Sequence, residues 1–269
     1  MGERPAPVVL VGAGNMGGAI AAGWLKANPP IRPVIVDPNP SETVRGWQAA
    51  GQVELNPGPR PAGVLMVGVK PQVFPNVLES LKAWAGPDTL VISIMVGVTL
   101  AGLETALGTA RCIRVMPNTP GAIGKGVALV SPAPACSEAD METARALLAP
   151  LGHVEGPMDE ATLQAATGLS GCGPAYVFLL AEALADAAEA LGVPADMAAR
   201  LAVHTIDGSA SLLAQSEAPA ADLRRAVTSP NGVTQAALDT LMADGAMPSL
   251  FEKALRAALA RDRALSGGA

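Results

Sequence analysis

Val8-Val9-Leu10-Val11-Gly12-Ala13-Gly14-Asn15-Met16-Gly17 is the stretch that decides the fold. Four consecutive apolar residues, mostly β-branched, read as a strand buried on both faces, as in a parallel sheet. The glycines follow at once in the spacing Gly-x-Gly-x-x-Gly. Residues 18–27 are then small and apolar, a helix stopped by Asn28-Pro29-Pro30. In this order, Gly12 permits a tight turn, Gly14 lets the backbone approach a pyrophosphate, and Gly17 lets helix and strand pack closely, while Asn15 and Met16 complete the turn. A helix start also favours an anion. The second strand, Val34-Ile35-Val36, ends at Asp37, 20 residues beyond Gly17, where an acid can accept hydrogen bonds from an adenosine 2′-hydroxyl. The plainer alternative is a structural glycine turn, and the strand, helix and acid around it favour dinucleotide binding.

Working outward, apolar runs at 64–69, 90–95, 113–116 and 126–130 read as further strands. Helical spacing occupies 73–84, 100–107 and 137–148, and Ser41 can cap a helix that runs to Ala50. Strands and helices that alternate in this way define a doubly wound α/β sheet. From Asp159 onward the β-branched runs disappear, and 176–191 and 195–213 carry apolar residues at helical spacing. The expected division is a Rossmann-like domain over residues 1–157 and an all-α domain over 158–269. The helices are alanine-rich and apolar around much of their circumference, which fits burial against a second subunit, or a thick internal core.

Composition removes several classes of function. Of 269 residues, half are hydrophobic and 16% are charged, which disfavours disorder and coiled coils. Three Trp, three Phe and one Tyr are too few for base stacking, and a net charge of −6 argues against nucleic acid. Cys112, Cys136 and Cys172 are widely spaced, with no CxxC, and His153 and His204 are the only histidines, so no metal cage or Ser/His/Asp triad is expected. No run of 18 apolar residues occurs, and the expectation is a soluble cytoplasmic protein with no membrane partner.

Loops at the carboxyl ends of the strands should face one crevice. They carry Asp37-Pro38, Val69-Lys70-Pro71-Gln72, Met95-Val96-Gly97 and Met116-Pro117-Asn118-Thr119-Pro120. Lys70 can meet a phosphate or a carboxylate, or stand as an ordinary exposed lysine. Asn118 can bond a nicotinamide amide or a structural carbonyl. No basic residue lies within three positions of Asp37, so a 2′-phosphate finds no local partner there and NAD(H) is favoured. In the helical half, Thr228-Ser229-Pro230-Asn231-Gly232-Val233-Thr234 gathers hydroxyls and free N–H groups at a helix start without an acid. Such a turn can cradle a carboxylate or phosphate, though capping explains Ser229 equally well.

Taken together, the glycine turn with Met16, Lys70-Pro71-Gln72, Met116-Pro117-Asn118-Thr119-Pro120, Gly171-Cys172-Gly173-Pro174-Ala175-Tyr176 and the stretch around Ser229 to Thr234 resemble the Δ1-pyrroline-5-carboxylate reductase family over nearly the whole chain. The resemblance implies a Rossmann domain joined to a helical domain that interlocks two subunits, and further assembly into a ring of five dimers. It implies NAD(P)H-dependent reduction of 1-pyrroline-5-carboxylate to L-proline, the closing step of proline biosynthesis. It places the substrate carboxylate on Ser229, Asn231, Gly232, Val233 and Thr234, sets the Thr234 hydroxyl near the ring nitrogen, and puts Glu217 in a substrate-side loop. Two positions depart from the family. Asn231 stands where glycine is usual, and Asp37 stands where many members have serine or another neutral residue, so the family's preference for NADP(H) conflicts with the preference for NAD(H) that Asp37 implies.

The chemistry agrees with this resemblance. A protonated cyclic imine is already electrophilic, so its reduction needs a hydride at carbon and no strong base. Hydroxy-acid dehydrogenases with a related domain pair carry a catalytic lysine four residues after the last glycine of a Gly-x-x-Gly-x-Gly motif; here Gly168, Gly171 and Gly173 put Val177 there. The alternatives are a reductase of another cyclic imine carboxylate, such as a six-membered ring, and a non-catalytic dinucleotide-binding regulator.

Overall fold

The structure is a computed structural model that describes residues 6–266, so the ends of the two expected domains, residues 1–5 and 267–269, lie outside it. Eight strands form one sheet in the order β3-β2-β1-β4-β5-β6-β7-β8. They are β1 (Val8–Val11), β2 (Val34–Val36), β3 (Glu54–Leu55), β4 (Val64–Val67), β5 (Leu90–Ser93), β6 (Cys112–Pro117), β7 (Gly126–Pro132) and β8 (Gly152–Glu155). Strands β1 to β6 are mutually parallel. The chain reverses between β6 and β7, which pair antiparallel because the short link of residues 118–125 has no room for a crossover.

Between the strands run α1 (Asn15–Lys26), α2 (Glu42–Ala49), α3 (Phe74–Lys82), α4 (Leu100–Leu107) and α5 (Glu138–Leu148), followed by α6 (Glu160–Ser170). On one face of the sheet, Leu10, Ile35, Met66, Ile92 and Val115 meet Ile20 and Trp24 of α1 and Met141, Ala144 and Leu148 of α5. Trp24 is fully buried, and its Nε1 donates to the Leu147 carbonyl at 2.7 Å, which satisfies the one polar atom of the ring. The other face carries Val9, Val11, Leu65, Val67 and Cys112 against Leu81 of α3 and Leu100, Leu103 and Leu107 of α4. Further along that face, Met116 and Leu129 pack on Leu163 of α6. Helices thus cover both sides of a mostly parallel sheet, as the alternating pattern requires.

The switch from sheet to helix falls between Glu155 and Glu160. The chain forms two compact units, one running to Cys172 and including the chain from Ala258, the other spanning Gly173–Ala257. The first unit reaches past the last strand because α6 packs on its sheet. The second unit holds α7 (Gly173–Ala190), α8 (Ala195–Gln215), α9 (Ala220–Ala226), α10 (Val233–Met242) and most of α11 (Ala246–Ser266). Its interior contacts include Tyr176 edge-on to Phe251, with ring centroids 6.4 Å apart. No residue of α7 is buried, and Phe178 and Leu179 are 63% and 62% exposed. The helical stretch Glu160–Ala190 is long and apolar enough to cross a membrane by length and composition, and 6% of its apolar 18-residue window is buried.

Candidate active site

The strand order reverses between β1 and β4, and in open α/β sheets ligands bind at that point, beyond the carboxyl ends of the strands. The loops after β1, β2 and β4 line a cleft of about 760 Å³ there, with Gly12, Gly14, Asp37, Pro38, Asn39, Asn56, Val69 and Lys70 in its wall. A smaller cleft of about 580 Å³, between Arg32, Gln52 and Arg60, opens at the opposite, amino ends of the strands.

Each glycine of the fingerprint has its own reason. Gly12 has φ +91°, and a β-carbon on it would lie 2.8 Å from the Gly68 carbonyl group. A β-carbon on Gly17 would lie 2.1 Å from the Gly12 carbonyl oxygen, so the close approach of helix and turn requires its absence. Around Gly14 a β-carbon would meet nothing within 4 Å. Nothing in the protein demands glycine at that position, which lies on the cleft wall. Gly14 is also the N-cap of α1 and has no side chain to bond the first N–H groups. By contrast, Ser41, Thr99, Ser137 and Asp159 cap α2, α4, α5 and α6 with their own oxygens. An open cleft, a glycine that need not be one, and uncapped donors fit a dinucleotide pyrophosphate.

Asp37 is half-buried, and its carboxylate is already engaged. Oδ2 accepts from the Ala13 N–H at 2.8 Å and Oδ1 from the Asn39 N–H at 2.8 Å. The acid therefore ties the end of β2 to the glycine loop, and its remaining lone pairs can meet a ribose hydroxyl. Asn56, which the sequence reading missed, grips the Asp37 backbone from both sides: its Oδ1 accepts the Asp37 N–H and its Nδ2 donates to the Asp37 carbonyl, each at 2.8 Å. It does so with φ +49°, a conformation asparagine tolerates, and the Asn56-Pro57-Gly58 turn was the available signal.

The other expected cofactor residues, Asn15, Met16, Gly17, Pro71, Val96 and Asn118, are not among those that line this cleft. Asn15 and Met16 begin α1, Asn15 exposed and Met16 packed on the core. Pro71 opens a single 3₁₀ turn beside Lys70, and Val96 is 44% exposed in the loop after β5. Of the two partners left open for Asn118, the structure shows the structural one. Its Nδ2 donates to the Ser170 carbonyl at 2.9 Å, and its Oδ1 accepts the Val127 N–H at 2.8 Å, fastening the β6–β7 reversal to the end of α6.

The second unit presents the other group. Ser229, Asn231, Gly232, Val233 and Thr234 form the turn that opens α10, whose N-cap, Gly232, again supplies no side chain. A β-carbon on Gly232 would lie 2.3 Å from the Ser229 Oγ. Asn231 has φ +59°, the left-handed conformation that explains why glycine suits this place and asparagine can replace it. Val233 is 91% exposed, and Ser229 and Thr234 are exposed too, with no hydrogen bond to either hydroxyl among the described residues. The Thr228 hydroxyl is spent on the Arg224 carbonyl at 2.6 Å. Glu217 is exposed in the link between α8 and α9.

A cleft at the switch point of a doubly wound sheet with a glycine fingerprint in its wall, followed by a helical half, defines a Rossmann-type oxidoreductase with a C-terminal helical domain. A family model described as pyrroline-5-carboxylate reductase dimerisation matches residues 160–265, and one described as NADP oxidoreductase, coenzyme F420-dependent, matches residues 7–97. The pyrroline-5-carboxylate reductase of Pseudomonas aeruginosa is 37% identical over 264 residues, 96% of each chain. The chain belongs to the pyrroline-5-carboxylate reductase family. The solved structure of the Coxiella burnetii pyrroline-5-carboxylate reductase superposes with a TM-score of 0.88 at 32% identity, covering 98% of this chain and 99% of that one. A Plasmodium falciparum pyrroline carboxylate reductase, solved with NADP bound, gives 0.80 at 26% identity, covering 98% of this chain and 100% of that one.

Proposed function

We propose that the protein reduces 1-pyrroline-5-carboxylate to L-proline with a nicotinamide dinucleotide, as the names of its relatives indicate for them. The observation that carries this reading is the pairing of two uncapped, glycine-started helices with different surroundings. Gly14 opens α1 in a 760 Å³ cleft sized for a cofactor, and Gly232 opens α10 behind a small hydroxyl-bearing turn suited to one carboxylate. The two expected domains then take separate tasks, with residues 1–157 for the cofactor and 158–269 for the substrate and the subunit contact.

Gly12, Gly14, Asn15, Met16 and Gly17 would hold the pyrophosphate, Asp37 and Pro38 the adenosine ribose, and Val69, Lys70, Pro71 and Val96 the remaining wall. Asn118 acts from behind, by fastening β6 to α6. The bound reduced nicotinamide supplies a hydride to the imine carbon. The chain's own residues anchor and orient: the N–H groups at Gly232, Val233 and Thr234 hold the carboxylate, and the Thr234 hydroxyl donates a hydrogen bond to the ring nitrogen as it gains electron density. Asp37, with no cation beside it in sequence, favours NADH over NADPH. The exposed apolar faces of α7 and α8 pair with a second copy, and dimers assemble further into a decamer in a soluble, cytoplasmic enzyme.

The deciding assay follows NADH and NADPH oxidation with five- and six-membered imine carboxylates. Turnover with the five-membered ring at the higher kcat/KM supports the proposal, and preference for the larger ring redirects it to the related imine. Dinucleotide binding with no turnover of either ring would replace it with a regulator.

A further inference from the structure

Arg114 lies in the middle of β6 with its side chain fully buried. Among the described residues its Nε and Nη2 find no hydrogen-bond partner, and neither does the Oγ of Ser131, which stands opposite it in the β6–β7 register. Its Nη1 donates to Glu160 Oε1 at 2.9 Å. That same oxygen accepts the N–H of Leu100, the first residue of α4, at 3.1 Å. A buried guanidinium with two idle nitrogens is a poor device for stability, since its desolvation is only partly offset. Its one bond fixes the carboxylate that bridges the starts of α4 and α6.

The bridge is not ordinary capping. α4 already has a cap of its own, the Thr99 hydroxyl on the Gly102 N–H at 3.1 Å, so the Glu160 bond adds a tether between two helices 60 residues apart in the chain. What it tethers is the loop of residues 94–99, which carries Val96 and ends at Leu100. Arg114 is paired in register with Ser93, the last residue of β5, so the guanidinium sits beside the point where that loop leaves the sheet. Glu160 is 31% exposed and would otherwise swing toward water. Arg114 holds it in.

We propose that Arg114 and Glu160 are positioning residues for the dinucleotide: the pair tethers the loop of residues 94–99 to α6 and so fixes the wall of the crevice that Val96 contributes. This rests on the reading that the loop faces the cofactor. The test measures NADH and NADPH dissociation constants by calorimetry, steady-state kinetics with the five-membered imine, and Tm, for the whole protein and its variants. Glu160→Ala removes both bonds and is expected to weaken dinucleotide binding about tenfold, the loss of one charge-assisted hydrogen bond, with the imine KM within about twofold of wild type. Glu160→Gln keeps an oxygen that can accept from both the Arg114 guanidinium and the Leu100 N–H but leaves Arg114 without a counter-charge. It is expected to lower Tm as Glu160→Ala does and yet bind dinucleotide within about threefold of wild type. Leu100→Pro, at a first helical position that accepts proline, deletes the tethering N–H together with part of a buried core side chain. It should weaken binding like Glu160→Ala, with Leu100→Ala, which keeps the N–H, as its packing control, and it serves where Glu160→Ala does not fold. Unchanged dissociation constants in Glu160→Ala or Leu100→Pro, or equal losses in Glu160→Ala and Glu160→Gln, overturn the proposal. A wild-type protein that binds dinucleotide but reduces no imine overturns the reaction instead, and the binding comparison still decides the tether.

Discussion

Gly14→Ala separates a glycine needed by a ligand from glycines needed by the fold. At Gly14 the backbone has φ −69° and ψ −157°, which alanine adopts, and the new methyl meets no protein atom within 4 Å. The unfolded chain loses some freedom, while alanine suits an N-cap less well than glycine; the two effects are of similar size and opposite sign, so stability should stay within about 0.5 kcal/mol, a Tm change of about 1–2 °C at most. The methyl nevertheless stands on the wall where a pyrophosphate would approach the free N–H groups. Losing one or two charge-assisted hydrogen bonds costs about 3 kcal/mol, or roughly a hundredfold in dinucleotide affinity. Gly17→Ala is the opposite case. Its β-carbon, 2.1 Å from the Gly12 carbonyl oxygen, forces helix and turn apart, a loss of about 3 kcal/mol and several degrees of Tm. Differential scanning calorimetry and dinucleotide titration on both variants decide the matter. A Gly14→Ala protein that binds NADH and NADPH as tightly as wild type would refute the pyrophosphate assignment, and one that unfolds early would show that the glycine is structural.

Other expectations follow from single contacts. Asp37→Asn keeps an oxygen for the Ala13 N–H while removing a charge on the order of 5 Å from a 2′-phosphate. At a half-exposed site this is worth roughly 2 kcal/mol, so the NADPH/NADH ratio of kcat/KM should rise about 30-fold, and an unchanged ratio rejects the role. Thr234→Ala should lower kcat at least tenfold with the dinucleotide Kd unchanged, whereas equal losses in both mark a structural residue. Burial works to raise the Asp140 pKa, but the Arg111 guanidinium and the Ser137 cap more than offset it, and the carboxyl is held below its usual value. Its contribution is therefore present above about pH 3.9, the unfolded value, and is lost as pH falls through the folded one. Asp140→Asn should cost about 2 kcal/mol at pH 7, discounted for an Arg111 side chain that is 37% exposed, and the Tm gap to wild type should narrow below about pH 4. Burial pushes the Cys112 thiol up to about 12, so alkylation at pH 8, read by mass spectrometry, should spare Cys112 until the protein unfolds.

The parts legible in the sequence were those with local causes. A β-branched run, a glycine turn and a small-residue helix announce β1 and α1 without help from distant residues, although the helix begins at Asn15, inside the motif, rather than at residue 18. The strands β3 and β8 escaped notice because two residues, Glu54-Leu55, or four half-polar ones, Gly152-His153-Val154-Glu155, have no pattern apart from the neighbour they pair with. The site divides in the same way. Asn231 was legible because a left-handed turn leaves its mark on residue choice. The grip of Asn56 on Asp37 was not legible, and for Asn118 the choice between a nicotinamide and a structural carbonyl stayed open, since each depends on a partner brought near by the fold. Arg114 had a signal that went unused: a cation inside Cys112-Ile113-Arg114-Val115-Met116 demands a buried counter-charge.

The bare faces of α7 and α8 carry a consequence for how such a chain lives at low abundance. When two copies close those faces, the folding free energy contains a concentration, and every tenfold dilution removes about 1.4 kcal/mol from it. The turn of residues 229–234, proposed above to hold the substrate carboxylate, belongs to the same helical unit as the faces. On the proposed assignment, scarcity would threaten the geometry for substrate together with the fold itself, and the level of synthesis would become part of what keeps each copy competent.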